Sequence, residues 1–197
     1  MGQSKRTAQA MQYMQQVLTN EEFNDYLHQA YLWAADLAKG ETDVQTYLFG
    51  VELLDDDEEK GVMFMPLLVS YQNDAEKEAL MKAIGANLAA GKHKTLAIFM
   101  ISEGWVSKRS EGDVYIEPRL DPNRSEAVFV SGLTMDGRSN YAAIFLERDN
   151  DNKFVDAGRL YEPYGKEGGA RVTPNRMLRW FWAGFADASL GRLARLN

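Results

Sequence analysis

The chain has 197 residues, 45% of them hydrophobic and 26% charged, with a net charge of -7 and no cysteine. Those proportions fit a globular domain and exclude a low-complexity or disordered chain. The lack of thiols removes disulfide frameworks, cysteine nucleophiles and thiolate metal sites.

No apolar run approaches the roughly 18 residues of a membrane span. The opening Met1-Gly2-Gln3-Ser4-Lys5-Arg6 has no apolar signal segment and places Arg where a myristoylation motif wants Ser or Thr. A cytoplasmic protein with one α+β domain over residues 1–197 is the expectation. Charge is unevenly spread: residues 1–60 hold twelve acids and four bases, whereas residues 166–197 hold six bases and two acids. Either the acidic front and basic tail face each other within the fold, or the tail offers a cationic surface to a partner.

In chain order, residues 1–40 read as a helical segment of two helices. The second is the clearer, because Thr19 and Glu22 form a capping-box pattern ahead of Phe23, Tyr26, Leu27, Ala30, Tyr31, Ala34 and Leu37 at helical spacing, with Lys39-Gly40 as its stop. Residues 44–54 fit helix and strand equally, and they lead into the acidic run Asp55 to Glu59, read as a solvated loop. Residues 62–69 form a strand-like run in which Pro66 cannot donate to a ladder, which argues for an edge position or a bulge. Asn73 or Asp74 then caps a helix with Leu80, Met81, Ile84 and Leu88 as its stripe and Gly91 as its stop. Leu96 to Ile101 is apolar at every position and reads as a central strand covered on both faces. If it pairs with 62–69, the helix between them is a crossover and the pair is parallel. Residues 127–134 and 140–147 flank Asp136-Gly137, a tight-turn dipeptide, and Asp149 to Lys153 is the next turn before a strand near 154–162. Thr173-Pro174 opens a last helix over 173–190. The sum, with the sheet over 62–162, is a mixed, mostly antiparallel sheet of about five strands, with N-terminal helices, one crossover helix and a C-terminal helix packed on it.

Motifs of chemistry are few. There is no nucleophile elbow, and His28 and His93, the only histidines, sit in unrelated segments. Asp149-Asn150-Asp151-Asn152-Lys153 departs from the calcium-loop pattern at Lys153. Gly165 to Gly169 matches no phosphate loop. No metal, cofactor or catalytic residue is assigned, and an enzyme is not the favoured reading. The segment from Leu96 to Arg148 carries Ser102-Glu103-Gly104-Trp105, then Asp121-Pro122-Asn123-Arg124-Ser125-Glu126, then Asp136-Gly137-Arg138. In these motifs the chain resembles a family of uncharacterised bacterial and phage proteins, and the resemblance implies no activity.

If strands 96–106 and 126–134 are antiparallel neighbours, Glu103 and Trp105 lie near Arg124 and Glu126, as a small site or as a structural cluster with Arg124 stacked on Trp105. On the last helix, Leu178, Phe181, Trp182, Phe185 and Ser189 share one face at about 100° per residue, while Arg176, Arg179 and Trp180 fall towards the other. An indole between arginines has the composition of an interface hot spot unless that face is covered.

The expected function is non-catalytic binding or regulation through contact with a protein partner, with phage or mobile-element origin and a second copy of the chain as one partner. The first alternative is nucleic-acid binding through Arg171, Arg176, Arg179, Arg192 and Arg195. The second is a hydrolase using scattered carboxylates.

Overall fold

A computed structural model describes residues 18–39, 41, 43–54, 59–67, 73–91, 93–107, 120–151, 153–161 and 175–195. The first of the two expected N-terminal helices, the glycine-rich stretch 165–169, and Thr173-Pro174 lie outside the described residues.

The fold is α+β. Its elements are α1 (Asn20–Ala38), β1 (Tyr47–Leu53), β2 (Lys60–Pro66), α2 (Asp74–Ala90), β3 (Lys94–Val106), β4 (Ser125–Thr134), β5 (Ser139–Arg148), β6 (Phe154–Tyr161) and α3 (Arg176–Arg195). The strands form one sheet in the order β2-β1-β3-β4-β5-β6, and every described neighbour pair is antiparallel. The sixth strand is the stretch whose sequence fits helix and strand alike: β1 is buried at five of its seven positions, so its apolar run reflects cover on both faces of a sheet.

The expected parallel pairing of the 62–69 and 96–106 runs does not form. β1 lies between β2 and β3 and is antiparallel to both. Two antiparallel steps leave β2 and β3 pointing the same way, so α2 is still a crossover, but one that spans an intervening strand. Pro66 is accommodated as the edge argument requires, at the end of the outermost strand.

Each face of the sheet carries its own core. On one, Phe23, Leu27, Ala30, Ala34 and Ala38 of α1 pack with Phe49, Val51, Phe99, Ile101, Val128 and Val130. On the other, Met81 and Ala89 of α2 and Leu178, Phe181 and Phe185 of α3 pack with Leu48, Ile98, Met100 and Leu133. The sheet is therefore the middle layer between α1 and the α2–α3 pair. From Ala97 to Ile101 alternate residues of β3 enter opposite cores, Ala97, Phe99 and Ile101 one and Ile98 and Met100 the other, which is why this stretch has no polar position.

This layering corrects one reading of the charge asymmetry. The acidic helix α1 and the arginine-bearing helix α3 lie on opposite faces of the sheet, so in the described residues they do not face each other.

The ends of the elements follow local rules. Thr19 and Glu22 form the full capping box, with Thr19 Oγ1 accepting from Glu22 N–H at 3.1 Å and Glu22 Oε2 accepting from Thr19 N–H at 2.8 Å. Asn73 caps α2 by accepting from Glu76 N–H at 3.0 Å. Gly137 holds a φ of +89° in the β4–β5 turn, a conformation that side chains disfavour. Asp149 accepts from the N–H groups of Asp151 and Lys153 at 2.9 and 2.8 Å, which makes 149–153 a turn.

Candidate functional site

The arginine and tryptophan face of the last helix is partly engaged within the monomer. Asn175 is the cap that the helix uses, its side chain accepting from Met177 N–H at 2.9 Å. Leu178, Phe181 and Phe185 are buried as the periodicity predicts, and the half-buried Trp182 donates its indole N–H to Leu133 O at 3.1 Å. Trp180 is half-buried and packs against the core shared with α2. The Arg176 guanidinium stands 4.9 Å over the Trp180 ring and pairs with Asp74 at the start of α2. Arg176 and Trp180 thus brace α3 against α2, and the exposed Arg179 stands beside them. Arg171 and the side chains of Arg192 and Arg195 lie outside the described structure.

The second expected cluster does assemble. β3 runs past the end of β1 and keeps only β4 as partner over Ser102 to Val106. In that register Trp105 lies opposite Glu126, and the Arg124 guanidinium sits 4.3 Å from the Trp105 ring centroid. Glu103 turns to another task, accepting from Val44 N–H at 3.0 Å and so fixing the approach to β1. The buried Asp121 accepts from Asn123 N–H at 2.8 Å and shapes the turn that feeds Arg124 into place. The stack, the strut and the turn each have a structural purpose.

A third surface was not read from the sequence. Between α1 and the β1–β2 edge lies a cleft of about 290 Å³ lined by Tyr26, Gln29, Ala30, Trp33, Phe49, Val62 and Phe64. Its aromatics continue a chain of ring contacts that begins in the core. Phe23 meets Phe99 at 5.3 Å and Phe99 meets Phe49 at 4.9 Å; Phe49 meets Trp33 at 6.3 Å, and Trp33 meets Phe64 edge-on at 4.7 Å. The inner rings are buried, while Phe64 is 46% and Val62 58% exposed. A rigid floor therefore supports an apolar surface that water still reaches.

The reason lies in β2 itself. As the outermost strand it has β1 on one side only among the described residues, so Val62 and Phe64 gain cover from α1 and nothing from a further strand. A signal existed in the sequence. Gly61 to Met65 is uncharged, ends at an edge-marking proline, and alternates Val62 and Phe64 on one face. Trp33 sits just off the main stripe of α1, so helical periodicity alone does not mark it.

The helix that flanks the cleft is acidic: α1 carries Glu21, Glu22, Asp25 and Asp36 and no Lys or Arg. Of the acidic run Asp55 to Glu59, only Glu59 is among the described residues. Lys60, at the start of β2, is held by Glu22, and that contact together with the Thr19 N–H draws the Glu22 carboxyl below its ordinary range. No carboxylate or imidazole lines the cleft, and no group of three or more metal-ligating side chains occurs among the described residues. His93 lies just before β3, its Nδ1 2.7 Å from Glu52 of β1, and is not among the residues that line the cleft. The cleft is equipped to bury apolar side chains, with the Tyr26 hydroxyl and the Gln29 amide as the polar side-chain groups among its lining residues.

No family model, no curated protein and no solved structure matches the chain.

Proposed function

We propose that the protein is a non-catalytic binding protein that acts by contact with a protein partner, and that the contact lies over the α1–β2 cleft. One observation carries this reading: an open apolar cleft with a rigid aromatic floor runs beside an edge strand that bares Val62 and Phe64. Large side chains set in a supported pocket are what interface hot spots are made of, and a strand edge offers unpaired backbone groups to an incoming chain. The arginine and tryptophan face of α3 ranks below it, because Arg176 and Trp180 are already committed to α2 and to each other.

The test is site-specific photo-crosslinking in native cells, with a benzophenone amino acid at position 62 and, separately, at position 179. The expected result is one discrete adduct from position 62 that Trp33→Ala removes. Crosslinking from position 179 alone would place the contact on α3 and refute this assignment.

A further inference from the structure

We infer that the partner segment is an extended, lysine- or arginine-bearing stretch of another protein that adds to β2 as a further strand and seats an apolar side chain in the aromatic cleft. The inference rests on the binding role proposed above and names the class of partner.

Three observations lead to it. The first is that, among the described residues, β2 is an unguarded edge. Exposed edges are usually blunted by charges, bulges or prolines. β2 pairs with β1 in unbroken register from Lys60 to Pro66, with no bulge. Its one charged side chain, Lys60, is at its start and is occupied by Glu22. Its proline closes the far end, so Gly61 to Met65 present an uninterrupted backbone about 16 Å long. An extended chain can satisfy those backbone groups, whereas a helix has spent its own on internal hydrogen bonds.

The second observation is the alternation along the strand. Val62 and Phe64 lie on the α1 side, and Phe64 meets Trp33. Neighbouring strands in a sheet stand about 4.8 Å apart. Every second side chain of an added strand would therefore lie beside Val62, Phe64 and the mouth of the cleft, which selects apolar residues at alternate positions.

The third is charge. α1 brings four acids and no lysine or arginine to this side of the molecule. A cationic segment is drawn to such a surface and an acidic one is repelled. The same balance disfavours a second copy pairing edge to edge, because each copy would bring its own acidic helix to the contact.

The experiment is a display selection of random eight-residue peptides on the immobilised full chain. The enriched sequence is then titrated as a synthetic peptide against the native protein, Val62→Lys and Trp33→Ala. A version of the peptide N-methylated at alternate amides is titrated in parallel. Val62 is 58% exposed, so Val62→Lys leaves the fold intact, and circular dichroism verifies this.

The expected outcome is an enriched pattern of alternating apolar and Lys or Arg residues. Binding should weaken about tenfold or more with Val62→Lys and with N-methylation. Enriched peptides that are acidic, or whose apolar residues recur at helical spacing, but still depend on Val62 and Trp33 would overturn the partner class and leave the cleft standing. Binders indifferent to both substitutions, or no enrichment, would overturn the cleft reading as well. A concentration-dependent dimer of the native protein that Val62→Lys dissolves would show that a second copy is the occupant, and would overturn the inference.

Discussion

Arg138 explains the Asp136-Gly137-Arg138 turn better than any role in binding does. Its guanidinium lies against Asp136 within the turn, donates to Asn20 Oδ1 at 2.7 Å and reaches Leu18 O, so the β4–β5 hairpin holds the start of α1. Arg138→Ala should lower stability by about 1 kcal/mol, the scale of a partly exposed charged hydrogen bond. Urea denaturation checks this, and an unchanged midpoint would show that the latch contributes nothing.

Two carboxylates at this scale set an acid limit. Partial burial alone would raise the Asp136 carboxyl, but hydrogen bonds from Thr134 and Arg138 outweigh it and leave the group below its ordinary range; Glu22 is lowered by Lys60 and Thr19. A folded-state pKa below the unfolded one means stability that is present at neutral pH and lost as pH falls through the folded value. Unfolding midpoints should therefore fall below about pH 4, and Asp136→Asn should flatten that dependence. An equal slope in the variant would contradict the assignment. The turn itself was legible, since Asp-Gly demands it. Its grip on Leu18 was not, because nothing local to Arg138 names a partner so distant in sequence.

α2 and α3 touch backbone to backbone. A Cβ on Gly184 would stand 2.0 Å from Lys82 O, and one on Gly85 would stand 2.1 Å from Phe181 O. These are main-chain atoms that no rotamer change can move aside, so Gly184→Ala must push the helices apart. The expected loss is about 3 kcal/mol, the upper range for overpacking, read as a lowered thermal midpoint. A midpoint equal to that of the native protein would mean that the pair is not so close. Thr19→Ala at the start of α1 should show the milder loss of a cap, about 1 kcal/mol.

The elements also show where sequence reading succeeds and where it stops. α1, α2 and the β4–β5 hairpin were legible because caps, stripes and turn residues act over a few positions. Pro66 pointed correctly to an edge because a missing donor cannot sit inside a ladder. β1 resisted, since a strand buried on both faces loses the alternation that distinguishes it from a buried helix. The pairing of β2 with β1 in place of β3 is a hairpin closed by residues 54–59, and it could not be read while β1 itself was not recognisable as a strand. The α1–β2 cleft depends on that pairing, so it stayed hidden although Val62, Phe64 and Trp33 were in plain view.

For the whole molecule, the sheet separates two chemically different sides. α1 carries acids beside an apolar cleft, while α3 carries four arginines against one acid on the opposite face. The proposed binding of a cationic segment would be oriented by this separation, and raising ionic strength should weaken it, because exposed charges beyond about 10 Å are screened at 0.1 M salt. Among the described residues no helix is long and apolar enough to cross a membrane.

Amide hydrogen exchange of the protein with and without its captured partner tests the central claim most directly. Occupation of the edge should slow exchange at Gly61 to Met65 and along the Tyr26 to Trp33 turns of α1, and leave Arg176 to Trp182 unchanged. Slowed exchange confined to α3, with Gly61 to Met65 exchanging as in the free protein, would contradict the claim.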